Sequence, residues 1–142
     1  MTHEENRAWI MLVAGVAAYA VYVVALLGRA DGRRLADVPY AASLLWTVGA
    51  AIAVSILADI AVGIVRGPAA RAKDERDRAI SRLGEASGQA FVVIGAVAAM
   101  LMAMAGWDRF WIANVIYLCF VLSAVIGSTA RIVVYRRGLP RW

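Results

Sequence analysis

The sequence predicts an all-α integral membrane protein, a bundle of four helices that each cross the bilayer. Hydrophobic residues make up 63% of the chain, whereas soluble domains contain about 45–50%. These residues are concentrated in four long runs, and a bilayer core of about 30 Å requires about 20 residues of helix. Charged residues fall in short blocks between the runs. The chain is therefore predicted to form a single domain over residues 1–142.

The four membrane helices are predicted, in chain order, over residues 8–27, 38–65, 86–105 and 110–135. The first is almost wholly apolar, and the third is the shortest. A short amphipathic helix at 69–83 is predicted on the cytoplasmic side, between the second and third membrane helices. Pro68 suits its first turn. Gly84 and Gly88 then allow a bend into the third membrane helix.

The distribution of basic residues predicts the orientation. All of the 15 Lys and Arg residues lie towards one side of the four spans, except Arg29, Arg33, Arg34 and Arg109. Because loops rich in Lys and Arg stay in the cytoplasm, both termini and the connection at 66–88 are predicted to be cytoplasmic. We expect a multi-pass protein of the cell membrane. Its net charge of +5 suits contact with anionic membrane lipid rather than direct nucleic-acid binding, for which no motif is present.

Residue types suited to catalysis or metal binding are scarce. His3 is the single histidine, and Cys119 is the single cysteine and lies within an apolar run. A multi-histidine metal or haem site and a disulfide within one chain are therefore excluded. No catalytic residue, metal ligand or cofactor site is predicted, and we do not expect an enzyme.

Asp59 is the one acidic residue well inside an apolar run. A carboxylate at the bilayer centre costs about 2.5–3.5 kcal/mol on insertion scales, so it is expected to face a partner or a cavity. Arg131 lies at a similar depth in the fourth helix, which runs antiparallel to the second. An Asp59–Arg131 ion pair is the structural prediction. An ion or proton pathway through Asp59 and a contact with another protomer are the alternatives.

Small residues spaced four apart let membrane helices approach closely. Gly95, Ala99 and Ala103 form such a stripe on the third helix. We expect this helix to pack centrally in the bundle, and a homodimer seam is the alternative.

The connection between the second and third membrane helices is the most distinctive segment. Opposite charges three or four residues apart predict a helix, each pair adding about 0.2–0.5 kcal/mol. This helix is either a solvated, self-paired element or a docking site for a cytoplasmic protein. The residues predicted to dock a partner are Arg71, Lys73, Asp74, Glu75, Asp77 and Arg78.

The segment K-D-E-R-D-R-A-I at 73–80 resembles an uncharacterised family of small prokaryotic four-helix membrane proteins, known as a domain of unknown function. Members of that family are often encoded beside small helix-turn-helix regulators. The resemblance implies a regulatory or accessory role, and it supplies no catalytic residues.

Two functions follow as hypotheses. The first is a non-enzymatic accessory or regulatory membrane protein that presents the charged helix to a partner. The alternative is a small homodimeric multidrug-type or ion-coupled transporter that uses Asp59. The layout resembles the small multidrug resistance proteins, but those carry an essential Glu in the first helix, where residues 8–27 contain no acidic residue.

Overall fold

The computed structural model describes residues 3–66 and 75–138, which form four long α-helices and one short 3₁₀ turn. In chain order these are α1 His3–Ala30, the 3₁₀ turn Leu35–Asp37, α2 Ala41–Arg66, α3 Glu75–Met104 and α4 Arg109–Arg137. All four α-helices are long and apolar enough to cross a bilayer. The prediction of an all-α four-helix protein is confirmed.

A tight turn joins α3 to α4. The Gly106 N–H bonds to the Ala103 carbonyl oxygen and the Trp107 N–H to that of Met102, which is the bond pattern of a Schellman motif. Gly106 has φ 75°, a left-handed conformation that glycine adopts without steric cost. The chain therefore reverses within a few residues, and α4 begins at Arg109 and runs antiparallel to α3.

The helices are arranged in space in an order that differs from their order along the chain. Extensive contacts join α3 to α4, α4 to α1 and α1 to α2. The two inner helices of this layer are therefore α1 and α4. The prediction that the third membrane helix packs centrally is wrong, because α3 lies at one side of the layer and packs along α4.

The predicted bend between a surface helix and the third membrane helix is absent, since α3 is continuous from Glu75 to Met104. Residues 69–74 of the predicted surface helix lie outside the described residues. Gly84 and Gly88 serve close packing instead. A Cβ at Gly84 would lie 2.8 Å from the Gly127 carbonyl oxygen, and one at Gly88 would lie 2.7 Å from the Ser123 carbonyl oxygen.

The exposed surface of the helices is strongly apolar and is compatible with contact with lipid. On α2, Leu45, Trp46 and Ile64 are 69%, 79% and 75% exposed, and no residue of its most apolar stretch is buried inside the protein. Soluble proteins rarely expose contiguous apolar patches of this size. The finding supports a protein embedded in a membrane.

A cluster of aromatic rings marks one end of the bundle, called the aromatic end. Tyr22 packs edge-to-face on Tyr117, with ring centroids 5.2 Å apart, and Tyr40 packs in the same way on Phe110 at 5.0 Å. The Tyr22 hydroxyl donates a 2.7 Å hydrogen bond to Asn114 Oδ1. These contacts join α1, α4 and the start of α2 near the two connections opposite the chain termini.

Candidate functional site

The other end of the bundle, called the charged end, contains ion pairs between neighbouring helices. Arg7 Nε on α1 lies 2.6 Å from Asp59 Oδ1 on α2. Arg131 Nη2 on α4 lies 3.6 Å from Glu85 Oε1 on α3. Each pair joins two helices that also pack along their lengths. Ion pairs thus join neighbouring helices at the charged end, whereas contacts between aromatic rings join them at the aromatic end.

Three further contacts attach α4 to its neighbours at the charged end. Arg136 Nε donates a 3.2 Å hydrogen bond to Glu5 Oε1, and its guanidinium carbon lies 5.8 Å from the centre of the Trp9 ring, within cation–π range. Tyr135 donates a 3.0 Å hydrogen bond to Asp77 Oδ1. Glu5 is only 8% exposed. The hydrogen bond from Arg136 therefore replaces part of the hydration that its carboxylate has lost.

The predicted Asp59–Arg131 ion pair does not form, because each residue pairs with a different helix. Asp59 is on α2, which packs along α1, and it therefore meets Arg7. Arg131 is on the side of α4 that packs along α3, where Glu85 is its partner. Depth and helix direction can be estimated from the sequence, whereas the lateral order of the helices cannot.

The paired charges lie at one level along the helices. At about 1.5 Å per residue, the stretch from Glu85 to Met104 spans about 28 Å, and that from Asp59 back to Ala41 spans about 27 Å. A bilayer core is about 30 Å thick. If the aromatic end meets one boundary of this core, the charges meet the other. With that placement, Asp59 would lie at the level of the lipid headgroups rather than in mid-membrane.

The predicted docking residues divide into three groups. Arg71, Lys73 and Asp74 lie outside the described residues. Glu75 begins α3, while Asp77 is partly buried and accepts the hydrogen bond from Tyr135. Arg78 is exposed. Asp77 thus anchors α3 to α4 and is not displayed to a partner, whereas Arg78 is displayed.

A cavity of about 460 Å³ opens among the four helices near the charged end. This volume falls within the range of about 300–1,000 Å³ that is usual for small-molecule sites. Its polar lining residues come from α2, α3 and α4, and they are Ser55, Glu85, Gln89, Ser123, Ser128 and Arg131. Gly84, Gly88 and Gly127 also border the cavity, at the level where α3 and α4 are in close contact.

Glu85 and Gln89 were not singled out from the sequence. Because Glu85 directly follows the charged segment, the sequence pattern places it in a polar connection rather than in a membrane helix. The available signal was the spacing of Gly84, Gly88 and Gly95, which continues the small-residue stripe of the third helix toward the charged end. If that stripe is interpreted as a helix-packing surface, Glu85 belongs to the third membrane helix and lies next to the other helices.

Comparisons with known proteins find no match: no family model, no curated protein and no solved structure is significantly similar to this chain. Within the described residues, no three His, Cys, Asp or Glu side chains are grouped so that they could hold a metal ion. The features that bear on function are therefore the charged end, with the first turns of α3, and the cavity.

Proposed function

We propose that this protein is a non-enzymatic accessory or regulatory membrane protein that presents the first turns of α3 to a cytoplasmic protein partner. The observation that carries the proposal is the continuity of α3, which runs without a break from Glu75 into the membrane. A partner that bound the first turns would act directly on a rigid membrane helix. Both chain termini are placed in the cytoplasm by the same proposal, on the basis of the Lys and Arg bias.

The first turns of α3 have two different faces. Asp77 and Ile80 face α4, and Ile80 is completely buried. Arg78, Ala79 and Arg82 are exposed. Arg78 and Arg82 are four residues apart and therefore project from one side of the helix. The surface offered to a partner is thus basic, and an acidic protein segment complements it.

In-cell photo-crosslinking tests this function. A photoreactive amino acid at Ala79 is expected to capture a defined cytoplasmic protein, whereas the same amino acid at Ala105, at the aromatic end, should not capture it. Arg78→Glu combined with Arg82→Glu should abolish the crosslink at position 79, because both charges then oppose an acidic partner. Arg109→Glu, a matched charge reversal at the other end, should leave it unchanged. An unchanged crosslink in the double variant would overturn the proposal.

The transporter alternative gains support from the cavity, which brings charged residues of the membrane helices to one internal space. The acid at this cavity is Glu85, whereas Asp59 does not line it and is paired with Arg7. A proton-coupled transporter would therefore lose efflux from proteoliposomes on Glu85→Gln and retain it on Asp59→Asn. Loss of efflux on Asp59→Asn but not on Glu85→Gln would instead favour an ion pathway through Asp59.

A further inference from the structure

Arg131 stands out because its guanidinium is mostly enclosed and yet donates no hydrogen bond within the described residues. Its side chain is 19% exposed, and its closest anionic atom, Glu85 Oε1, is 3.6 Å from Nη2. The Nε atom is fully buried without an acceptor. A guanidinium has five N–H donors, and enclosed donors that are left unpaired cost free energy. The buried Nε packs against Gly84 and cannot itself meet a ligand, so an acceptor from outside the protein would bind the Nη groups at the tip of the side chain.

Other polar side chains also line the cavity wall, and they differ in exposure: Gln89 is exposed and Ser123 is half-buried. Gln89, Ser123 and Ser128 line the cavity, and in the described parts of the chain their side chains take part in no hydrogen bond. Ser128 is nevertheless only 4% exposed. Three polar side chains and a guanidinium thus border one space that is otherwise apolar, and a few polar groups in an apolar pocket are typical of ligand sites.

The charges at this site have both signs. Glu85 lies beside Arg131, but its side chain is 70% exposed, so its carboxylate keeps most of its capacity to bind a cation. Arginine is well suited to phosphate because its planar donors match the phosphate oxygens. A carboxylate next to it complements an ammonium group. The pair therefore fits a ligand in which a phosphate and an ammonium are close neighbours.

The position of the cavity indicates that the ligand comes from the bilayer. Walls from α2 and α3 both contribute, although these helices make no extensive contact with each other. In a bilayer, the gap between them would open to lipid. Away from the charges the wall is apolar and includes Met11, Ala14, Ala51 and Val92. Polar groups at headgroup level and an apolar wall deeper in the membrane match an amphipathic molecule.

We propose that this cavity binds a phospholipid with a phosphoethanolamine headgroup, its phosphate at Arg131 and its ammonium at Glu85. Gln89, Ser123 and Ser128 would hydrogen-bond the phosphate and ester oxygens, and the apolar wall would contact an acyl chain. The inference is independent of the proposed docking function. It would hold equally for a regulatory protein and for a transporter.

Native mass spectrometry of the purified protein tests the site, with phosphatidylethanolamine and phosphatidylglycerol of identical acyl chains offered in equal amounts. The wild type is expected to retain phosphatidylethanolamine preferentially. Arg131→Gln should weaken retention of this lipid by about 10- to 100-fold, the equivalent of a charged hydrogen-bonding group. Glu85→Gln should leave phosphate binding intact and reduce the preference over phosphatidylglycerol by about two- to fivefold.

The control is Arg78→Gln, which removes an exposed arginine outside the cavity. It should change neither the retention of phosphatidylethanolamine nor the preference for it over phosphatidylglycerol. Circular dichroism and gel filtration establish that each variant is folded, and Glu85→Gln keeps the test decisive if Arg131→Gln does not fold. Equal retention of the two lipids by the wild type, or an unchanged preference in Glu85→Gln, would overturn the proposal. Displacement of the lipid by soluble phosphoethanolamine at equal concentration would overturn its lipid part, because the apolar wall would then contribute nothing.

Discussion

Gly84 on α3 and Gly127 on α4 approach each other so closely that neither position has room for a side chain. A Cβ on Gly127 would lie 2.9 Å from the Gly84 carbonyl oxygen, and one on Gly84 would lie 2.8 Å from the Gly127 carbonyl oxygen. Both obstacles are backbone atoms, which cannot move without shifting a helix. The α3–α4 contact is therefore set by glycine at more than one level, as in other membrane helix pairs.

Gly88→Ala is expected to destabilise the folded protein by about 1–3 kcal/mol, the usual cost of overpacking a tight contact. The added methyl group would lie 2.7 Å from the Ser123 carbonyl oxygen. Unfolding in mixed detergent micelles measures the change. Gly63→Ala on α2 is the control, since nothing lies within 4 Å of its added Cβ, and it should be neutral. Equal stability of the two variants would contradict the close packing.

The Arg7–Asp59 ion pair should show a measurable coupling energy in a double-mutant cycle of Arg7→Gln and Asp59→Asn. Because the Asp59 side chain is 46% exposed, we expect the modest value of a partly exposed pair, roughly 0.2–1 kcal/mol. The cycle is needed because single substitutions also change other contacts of Arg7. The matched cycle of Asp59→Asn with Arg131→Gln should give zero. Coupling in the second cycle but not in the first would restore the pairing expected from the sequence.

Tyr22→Phe should cost about 0.6–2 kcal/mol, the range observed for hydrogen bonds between membrane helices. The substitution keeps the ring contact with Tyr117 but leaves Asn114 Oδ1 without its donor at 2.7 Å. Tyr19→Phe is the matched control, because the Tyr19 hydroxyl makes no hydrogen bond with the part of the chain that the structure describes. If both substitutions cost the same, the Tyr22–Asn114 bond does not contribute.

Cysteine labelling tests the predicted orientation. In a Cys119→Ala background, Arg109→Cys at the exposed aromatic end should react with a membrane-impermeant maleimide in intact cells. Arg82→Cys should react only after the cells are permeabilised, since the Lys and Arg bias predicts a cytoplasmic charged end. The opposite pattern would place the first turns of α3 outside the cell and would exclude the proposed cytoplasmic partner.

The number and type of the helices were predictable because each apolar run is long enough to cross a bilayer. Their lateral order was not, because helices that are apolar on all sides carry little information about which side faces a neighbour. Asp59 illustrates the difference: its depth was readable from its distance to Arg66, but its partner depended on α2 lying beside α1. Gly84 was ambiguous for another reason, since glycine serves both bends and close approaches.

The placement of α1 between α2 and α4 has a consequence for how the chain is made. Translation produces α1 before α4. Until α4 has been made, α1 therefore lacks its neighbour on one side. Only α2 can accompany it early, with Arg7 and Asp59 already available to join them. A chain released by a stop codon before Arg109 would leave α3 without the helix against which it packs. The contact between the inner helices α1 and α4 can therefore form only after all four helices have been made.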